Sequence, residues 1–457
     1  MRSHEFAAAL RRAGLAAEAV RAQQDALARV LTALPGTGAG LSAPRAPAAP
    51  RCAFVPGRIE IVGKHTDYAG GRSLVCAVDR GFTAAWCPRP DARLRVLDAV
   101  SGESVEADLA AGGTPGGAAW ATYVAAVARR AIRNFDARRG VDLAFASNLP
   151  PAAGLSSSSA LLITVFLALG DANDLVRHPA VLAHCATRES LAAYLATVEN
   201  GSGFGALAGD TGVGTRGGSQ DHTAILASHA GRLAQFAYRP TRRERDIACP
   251  PELVFAVAAS GIAAEKTGAA LEAYNRAARA TEVVLARWNT AHGRADATLA
   301  AACASGPGGA AAVRREAGRV DADGWDPNRL LARVNQFLLE TTEVVPGTGD
   351  ALAAGDLARL GAIVDRSQQA AETWLDNQVP ETVALQRLAR VAGAHAASAF
   401  GAGFGGSVWA LVDAAGADAF LERWRRAYAV AHPDASRRAG FLLTPPGPGA
   451  VCGWLPP

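Results

Sequence analysis

Four consecutive serines follow a glycine in the segment LPPAAGLSSSSALLITVF at 149–166. Serines at the start of an apolar helix leave the backbone N–H groups of the first turn free, and the positive end of the helix dipole attracts a polyphosphate. A serine that only caps the helix is the simpler interpretation for one or two serines. Four serines after Gly154 instead favour a phosphate-binding loop, in which a hydroxyl can also reach a metal ion.

A second dense group of polar side chains lies in VPGRIEIVGKHTDYAGG at 55–71. Its hydrogen-bonding side chains occupy one short stretch that ends at a glycine turn: Arg58, Glu60, Lys64, His65, Asp67 and Tyr68. So many donors and acceptors in one turn can bind several hydroxyls of a polar ligand. Each residue alone could be a solvated loop residue, and His65 with Asp67 is a weak metal-site signal. Together they predict a site for a polar ligand.

Three glycines near the C-terminus match a dinucleotide-binding pattern in the wrong context. Gly401, Gly403 and Gly406 fit G-x-G-x-x-G in SAFGAGFGGSVWALV at 398–412. That fingerprint should follow a strand and open a helix, whereas here a predicted helical stretch precedes it and a β-type run follows. The segment instead predicts a glycine loop whose backbone can approach phosphates or an opposite lobe. The sequence contains no G-x-x-x-x-G-K-[ST], which excludes a P-loop kinase.

The elements that must position these segments are a mixture of strands and helices. CAFVPGRIEIVG at 52–63 has strand-type residues broken by Pro56-Gly57, and SLVCAV at 73–78 predicts a second strand. Apolar spacing predicts the helices, and buried apolar runs predict two further strands. The helices are expected at 120–139, 160–169, 263–288 and 351–394, and the further strands at 253–260 and 407–412. The sequence therefore indicates an α+β protein.

The chain length sets the expected number of domains. A single hydrophobic core stops growing near about 250–300 residues, so 457 residues predict two lobes. Residues 1–50 are expected to form an amphipathic helix and a Pro/Ala-rich linker, 51–245 an N-terminal lobe and 246–457 a C-terminal lobe. The charged cluster at 242–246 before Pro250-Pro251 marks the boundary, although a surface turn is the equally plain alternative.

Composition excludes several classes of function. The net charge of +4 arises from 46 Lys and Arg against 42 Asp and Glu without a basic block, which suits an anionic substrate but gives no support for nucleic-acid binding. Seven cysteines are scattered without a C-x-x-C pair, which favours a reduced, cytoplasmic protein. The strongest apolar run, at 160–170, is half of the ~20 residues that span a bilayer, and the N-terminus lacks a signal-peptide pattern. We expect no membrane segment.

At these three segments the chain resembles the GHMP kinase superfamily and, within it, the galactokinase family. The family's motifs P-G-R-x-N-x-I-G-E-H-T-D-Y, a serine-rich loop and a glycine-rich loop resemble, in this order, Pro56 to Tyr68, Gly154 to Leu161 and Gly401 to Ser407. Val198-Glu199-Asn200 is similar to the family's A-E-N, and Ser219-Gln220-Asp221 occupies the place of its M-D-Q. The resemblance implies a two-lobed α+β fold with mixed sheets and helices, and an active site in the cleft between the lobes.

The resemblance also implies transfer of a phosphoryl group from ATP to a sugar hydroxyl. Asp221 becomes the base that accepts the hydroxyl proton, and Arg58 the cation beside it that stabilises the transferring phosphoryl group. Ser158 and Glu199 would hold Mg²⁺ on the phosphates. The ATP loop would comprise Gly154, Leu155, Ser156, Ser157 and Ser158, and the sugar site Lys64, His65, Asp67, Gly218 and Tyr274. For Asp221 alone, a turn-capping aspartate is the alternative.

Two substitutions in the first motif bear on the sugar. Glu60 replaces the family's Asn, and Lys64 replaces the Glu that in the family helps to read the sugar's terminal hydroxymethyl group. The expected substrate is galactose or a related monosaccharide, phosphorylated at its anomeric C1 hydroxyl. An acidic sugar such as galacturonate is the alternative, since a cation favours an anion. Lys64 could also pair with Glu60 or extend to solvent, and a glycine-rich insertion at 201–218 is expected to reshape the pocket.

Other activities within the superfamily stay open at this point. Some relatives of galactokinases bind sugar and ATP as sensors, and other GHMP kinases phosphorylate non-sugar alcohols. The retained Asp221, Arg58, Ser158 and Glu199 favour an active kinase, and the segment 65–68 favours the sugar branch. The expected partners are ATP and a small sugar, with a monomer or a weak homo-oligomer as the assembly.

Overall fold

The computed structural model describes residues 1–34, 49–112, 118–150, 154–263, 268–319 and 324–456. Within these ranges the chain forms two lobes, each built on its own β-sheet with helices packed against it. The predicted two-lobed α+β architecture is confirmed. Most of the predicted linker before residue 51, and residues 264–267 of one predicted helix, lie outside the described ranges.

The first sheet is built from strands that precede residue 250. In the described ranges it has seven strands in the order β4-β3-β5-β2-β6-β7, with β1 paired to the long β2. The strands are β1 Arg51–Val62, β2 Arg72–Pro88, β3 Arg93–Asp98, β4 Ser104–Asp108, β5 Val141–Ser147, β6 Arg232–Ala237 and β7 Arg242–Ala248. Neighbours are antiparallel except β3 and β5, which are parallel. The sheet is therefore mixed, as expected.

The second sheet belongs to the C-terminal lobe and is antiparallel throughout. Over the part of the chain that is described it has four strands in the order β11-β8-β10-β9. They are β8 Leu253–Ala259, β9 Ala396–Phe400, β10 Ser407–Asp413 and β11 Gly440–Thr444. The predicted strands at 253–260 and 407–412 are β8 and β10.

The helices surround both sheets. Those of the first lobe are α1 Phe6–Arg12, α2 Ala17–Ala33, α3 Ala121–Phe135, α4 Ser157–Ala172, α5 Pro179–His184, α6 Arg188–Asn200 and α7 Gln220–Ala227. Those that follow β8 are α8 Gly268–His292, α9 Leu299–Cys303, α10 Gly309–Ala317, α11 Pro327–Leu339, α12 Val345–Ala353, α13 Leu357–Ala370, α14 Pro380–Val391, α15 Ala417–Ala431 and α16 Pro433–Ser436. A π-helical turn at Glu340–Val344 joins α11 to α12.

Helix α4 lies in the core of the N-terminal lobe. Its residues 159–170 are all buried, as expected for a helix that is apolar on every face. It packs against β2 of the sheet and against α3. The apolar run at 160–170 predicted this helix correctly, and its burial holds the serine-led N-terminus in a fixed position.

Two local predictions are wrong. Pro56-Gly57 does not break the first strand, because β1 continues through it with a β-bulge where the register shifts between Pro56 and Arg58. The glycine loop of the third motif follows strand β9 and not a helix, because the short buried run Ala396–Phe400 pairs with β10.

The charged cluster at 242–246 belongs to β7, the strand that precedes the first strand of the second sheet, β8. The predicted boundary between residues 245 and 246 therefore falls inside β7, three residues before its end.

The N-terminal segment packs on the first sheet. The predicted single helix is divided into α1 and α2, because Gly14 lies between them with a φ of 95°. Phe6 and Leu10 are buried in a cluster with residues of β1, β2 and β5. The end of the chain returns to the same lobe, where Val451 forms a β-bridge with Phe54. Both ends of the described chain therefore contribute to the packing of the N-terminal lobe.

Two properties of the whole fold concern membranes and thiols. Among the described residues, no helix combines the length and apolarity needed to cross a bilayer. All seven cysteines lie in the described ranges and are free thiols. Burial raises the pKa of the Cys52 thiol to about 12, so this cysteine acts as an apolar core residue and not as a thiolate.

Candidate active site

A cleft of about 240 Å³ lies where the two lobes meet. All thirteen residues predicted for the site lie in the described ranges, and eleven of them line this cleft. The eleven are Arg58, His65, Asp67, Gly154, Ser156, Ser157, Ser158, Glu199, Gly218, Asp221 and Tyr274. Lys64 and Leu155 do not line it. Segments that are far apart in the sequence therefore converge on one cavity.

Arg58 on β1 and Asp221 at the start of α7 form an ion pair in the cleft. Nε and Nη2 of Arg58 both lie 2.8 Å from Asp221 Oδ1. The Ser156 hydroxyl donates to the other carboxylate oxygen, Oδ2. Arg58 Nη1 donates to the carbonyl of Gly154 at 2.6 Å, so the same guanidinium contacts both the aspartate and the serine loop. Asp221 thus accepts from a guanidinium at one carboxylate oxygen and from a hydroxyl at the other.

The serine loop presents the N-terminus of α4 to the cleft. The helix begins at Ser157, and Ser156 precedes it in the left-handed conformation with a φ of 60°. Backbone N–H groups of the first turn have no acceptor within a helix and can bind an anion. Ser157 and Ser158 are half-buried and line the cleft. Leu155 is buried, and its carbonyl accepts a hydrogen bond from Arg58 N at 3.2 Å, so its role is to hold the loop on β1.

Glu199 on α6 brings a buried carboxylate to the same end of the cleft. Its Oε2 accepts a hydrogen bond from the Ser159 hydroxyl at 3.1 Å and lies 3.4 Å from His222 Nε2. Among the described residues, no group of three or more His, Cys, Asp and Glu is placed to hold a metal ion. The hydroxyl of Ser158 and the carboxylate of Glu199 are hard oxygen ligands of the kind that suits Mg²⁺, which takes its other ligands from water and substrate phosphates. These residues fit a metal ion that arrives with a nucleotide.

Asp67 and Gly218 lie side by side in the wall of the cleft, next to the start of α7. Asp67 Oδ1 accepts a hydrogen bond from Tyr68 N, and its Oδ2 accepts one from Gln220 N, both at 2.9 Å. Burial and, to a smaller extent, the nearby charge of Asp221 raise the pKa of the Asp67 carboxyl to about 6, although the hydrogen bonds from the backbone of Gln220 and Tyr68 act in the opposite direction. A Cβ at Gly218 would lie 2.5 Å from the Asp67 carboxyl carbon. Only glycine allows the loop before α7 to approach this carboxylate so closely.

His65 is held in a single neutral tautomer. Its Nε2 lies 3.1 Å from the carbonyl of Ala402, which can only accept, so Nε2 carries the proton. Its Nδ1 then accepts from the Tyr68 hydroxyl at 3.0 Å, and that hydroxyl accepts from Arg333 Nη2 at 3.0 Å. Burial and the charge of Arg333 lower the pKa of His65 to about 3. The Tyr274 ring packs against it at 5.2 Å between centroids.

Lys64 extends into the C-terminal lobe and not into the cleft. Its ammonium donates to the hydroxyls of Ser367 at 3.0 Å and Ser398 at 2.8 Å, and the residue is 1% exposed. Ser367 in turn donates to Glu340, whose other oxygen accepts from Gly63 N at 2.8 Å. The structure therefore does not bring Lys64 to the predicted sugar site, and the residue does not extend to solvent either.

Glu60 is an acid buried beside the ion pair. It lines the cleft on the same strand as Arg58 and is 3% exposed. Burial raises the pKa of the Glu60 carboxyl to about 7, while the charges of Lys64 and Arg58 act in the opposite direction. Within the described part of the chain, its Oε1 has no hydrogen-bond partner. The replacement of the family's Asn by Glu thus places a titratable group in the wall of the cleft.

Sequence reasoning missed several residues that support the site. His222 lines the cleft and directly follows the segment Ser219-Gln220-Asp221, so its position beside that segment could have identified it. Asn377 donates to the carbonyl of Ala402 at 3.3 Å, and Arg333 donates to the Tyr68 hydroxyl. Arg333 and Asn377 lie in stretches without a recognisable motif, so no local signal could have identified them.

Three family models match segments of the chain. The galactokinase galactose-binding signature matches residues 45–88, the GHMP kinases N terminal domain matches 122–208, and the GHMP kinases C terminal domain matches 350–430. The first match contains Arg58 and Asp67, the second contains the serine loop and Glu199, and the third contains the glycine loop. The three predicted motifs are thus each found inside a matched segment.

Curated galactokinases are similar to this chain over most of its length. The galactokinase of Chloroflexus aggregans is 27% identical over 407 residues, which cover 86% of this chain and 90% of that protein. That of a Roseiflexus species is 28% identical over 399 residues, covering 85% and 88%. That of Actinobacillus pleuropneumoniae is 37% identical over only 113 residues, covering 24% and 29%.

Solved structures show the same fold. Lactococcus lactis galactokinase complexed with galactose has a TM-score of 0.71 at 22% identity, covering 88% of this chain and 95% of that one. Leishmania major mevalonate kinase, in complex with R-mevalonate, has a TM-score of 0.52 at 14% identity, covering 87% and 96%. Together with the family matches, these likenesses confirm the predicted fold and family. The chain is therefore a member of the GHMP kinase superfamily and a sugar kinase of the galactokinase type.

Proposed function

We propose that this sugar kinase transfers the γ-phosphate of ATP to the anomeric C1 hydroxyl of galactose or a closely related neutral monosaccharide. The observation that carries the proposal is the position of the Asp221 carboxylate, which contacts both Arg58 and Ser156. This carboxylate thus lies between an anion-binding helix N-terminus and the polar end of the cleft formed by Asp67 and Gly218. A phosphate donor and a hydroxyl acceptor would meet beside it.

Asp221 is the proposed general base. As the sugar oxygen attacks, the hydroxyl proton passes to Asp221, an O–P bond forms at the γ-phosphorus, and the bond from that phosphorus to the bridging oxygen of ADP breaks. Arg58 lies next to the reacting groups and stabilises charge on the transferring phosphoryl group. Since its own contacts with Asp221 Oδ1 and Gly154 O fix its orientation, little reorganisation is needed during the transfer.

The serine loop is the proposed nucleotide site. Gly154, Ser156, Ser157 and Ser158 would surround the triphosphate, with first-turn N–H groups as donors. Ser158 and Glu199 would hold Mg²⁺, which when bound neutralises charge on the β- and γ-phosphates. Leu155 supports the loop through its backbone contact with Arg58.

The sugar would occupy the end of the cleft lined by Asp67, Gly218 and Tyr274. Asp67 is a carboxylate acceptor suited to hydroxyl donors. Both nitrogens of His65 are engaged by Tyr68 and Ala402, so His65 shapes this site through its ring. Because the Lys64 ammonium contacts two serine hydroxyls outside the cleft, the geometry supports a neutral sugar over galacturonate.

A sugar panel tests the proposal. ADP release would be measured with galactose, glucose and galacturonate, and phosphorus NMR would locate the phosphate on the product. We expect the highest turnover with galactose or a close neutral relative and an anomeric phosphate. The proposal would be contradicted if none of the sugars in the panel caused ADP release, or if the phosphate were found on a carbon other than C1. A sugar sensor would be recognised by thermal stabilisation with sugar and ATP in the absence of ADP release.

We also propose a cytoplasmic location. The seven cysteines are free thiols, and buried thiols such as Cys76 and Cys185 are stable in a reducing compartment. Fractionation of cells that produce the protein would test this. Recovery with a secreted or membrane fraction would contradict it.

A further inference from the structure

A second cavity lies beside the cleft and is much larger. Its volume is about 690 Å³, compared with about 240 Å³ for the cleft. It is bounded by α6, by the glycine-rich insertion at 201–218 and by the segment 239–241. A single monosaccharide beside Asp221 would leave this second cavity empty.

The second cavity opens from the sugar end of the cleft. The residues that line both spaces include Asp67, Tyr68, Gly217 and Gly218. The residues proposed for phosphate transfer and nucleotide binding, among them Arg58, line the cleft alone. An acceptor that extends beyond the sugar site would therefore enter the second cavity while its reacting hydroxyl stayed beside Asp221.

The insertion forms this cavity by folding back on the end of α6. Asp210 N donates to the carbonyl of Gly201 at 2.9 Å, and Val213 N donates to the carbonyl of Glu199 at 2.8 Å. Asn200 donates from its side-chain amide to the carbonyl of Gly217 at 2.7 Å. These hydrogen bonds connect both ends of the insertion to the end of α6. The insertion that forms this wall of the cavity is therefore held in place by the fold.

The charged side chains in the wall are engaged with protein groups. Arg216 pairs with Glu282, and Arg239 donates to the carbonyl of Tyr68 at 2.9 Å. Asp210 pairs with Arg129, which lies outside the wall. The other lining residues are mainly serines, threonines and glycines, together with Asn200 and the aromatic Phe204. Hydroxyls and an aromatic face suit a neutral, polyhydroxylated ligand better than an anion.

We propose that the second cavity holds the remaining unit of a reducing oligosaccharide, whose reducing-end galactose-type sugar is phosphorylated in the cleft. This inference rests on the proposed function and adds a substrate class to it. The chemistry is unchanged: the free C1 hydroxyl of the reducing sugar forms the O–P bond, ADP leaves, and the proton passes to Asp221. The glycosidic bond lies on another hydroxyl of that sugar and stays intact.

The test compares galactose with the 3-, 4- and 6-linked galactobioses as acceptors. We expect at least one galactobiose to be phosphorylated with kcat/KM within about tenfold of galactose. Ala193 on α6 lines the second cavity and not the cleft. Ala193→Trp should therefore lower kcat/KM for that galactobiose by about tenfold or more while galactose is little affected. Val430→Trp, which adds the same ring at an 85% exposed position, is the matched control.

The outcomes separate this inference from the proposed function. Galactose turnover with no turnover of any galactobiose would overturn the oligosaccharide site alone. The same loss for galactose and galactobiose in Ala193→Trp would also overturn it, provided that the variant unfolds at the wild-type temperature. If Ala193→Trp does not fold, the smaller Ala193→Leu replaces it. No ADP release with any monosaccharide of the panel or with any galactobiose would overturn the proposed function itself.

Discussion

Lys64 and Glu340 carry opposite charges and are joined through one serine hydroxyl. The Lys64 ammonium donates to Ser367 at 3.0 Å, and Ser367 donates to Glu340. Lys64 is 1% exposed, and Ser367 and Glu340 are fully buried. Lys64 follows β1 of the first lobe, whereas Glu340 lies between α11 and α12. The lysine that replaces the family's Glu in the first motif therefore contacts the C-terminal lobe and not the residues that line the cleft.

Replacing Lys64 should cost stability and leave sugar recognition largely intact. Lys64→Met removes the ammonium that donates to the hydroxyls of Ser367 and Ser398, and leaving buried polar groups without a partner costs about 1–3 kcal/mol. Urea denaturation would measure the loss, and the sugar KM would be measured alongside. Lys64→Met combined with Glu340→Gln should recover part of the stability. A Lys64→Met variant with wild-type stability but a greatly raised sugar KM would show instead that Lys64 reads the substrate.

Asp221→Asn should abolish most of the activity while the fold persists. The amide keeps the shape of the carboxylate but cannot accept the hydroxyl proton, and a positioned general base contributes about 10²–10⁴-fold to the rate. We expect kcat for ADP release to fall by this factor. Asp434→Asn, at a largely exposed aspartate, is the control. A loss of less than about tenfold would contradict a general-base role for Asp221.

The sequence was sufficient to predict the motifs, but not the contacts of the residues that connect them in the folded protein. The serine loop was predictable because four serines before an apolar run indicate, from the local sequence alone, a helix N-terminus that can bind phosphate. The contacts of the Lys64 side chain were not predictable, because Ser367 and Ser398 lie 303 and 334 residues away in the sequence and belong to no motif. The bulge at Pro56 was not predictable either, because it depends on the pairing of β1 with β2. The expectation that Pro-Gly ends a strand takes no account of such pairing.

Glu60 should make the stability of the protein depend on pH. Burial raises the pKa of the folded carboxyl to about 7 from an ordinary value of 4.5. Between these pH values the folded state holds more protons than the unfolded state, so the contribution of Glu60 to stability falls as pH rises, by about 3 kcal/mol in total. The pKa of about 7 already includes the effects of the neighbouring charges of Lys64, Arg58 and Glu340.

Glu60→Gln removes this titration. The free energy of unfolding of the variant, relative to that of the wild type, should rise by about 3 kcal/mol between pH 4.5 and pH 8. Urea denaturation at both pH values would measure it. Glu18→Gln, at an exposed glutamate of α2, should give no such difference. If the stability difference between Glu60→Gln and the wild type were independent of pH, Glu60 would not titrate between those values.

Ser158→Ala should weaken the binding of Mg²⁺ more than Ser157→Ala does. Of these two serines only Ser158 is proposed, with Glu199, as a metal ligand, although both serines line the cleft on the first turn of α4. Loss of a group that orients or holds a metal typically costs about 10–100-fold in affinity. The Mg²⁺ concentration for half-maximal ADP release should rise by this amount in Ser158→Ala. Equal effects of the two substitutions would point to general damage of the loop.

Leu10→Ala should destabilise the protein although it lies far from the reacting groups in the sequence. Leu10 on α1 is fully buried in the cluster with Phe54, Ala85 and Ala144 of the first sheet. Truncating a buried leucine costs about 2–5 kcal/mol, because apolar contacts are lost and a cavity remains. Urea denaturation should show this loss while kcat stays near the wild-type value, since α1 does not line the cleft.

The matched control for this prediction is Leu182→Ala. Leu182 is 59% exposed, and surface substitutions usually change stability by less than about 0.5 kcal/mol. If Leu10→Ala were as stable as Leu182→Ala, the first two helices would unfold independently of the sheet. A large loss for Leu10→Ala alone would instead show that α1 and α2 belong to the same cooperative unit as β1, the strand that carries Arg58. The N-terminal segment would then contribute to holding the site in place through the stability of that strand.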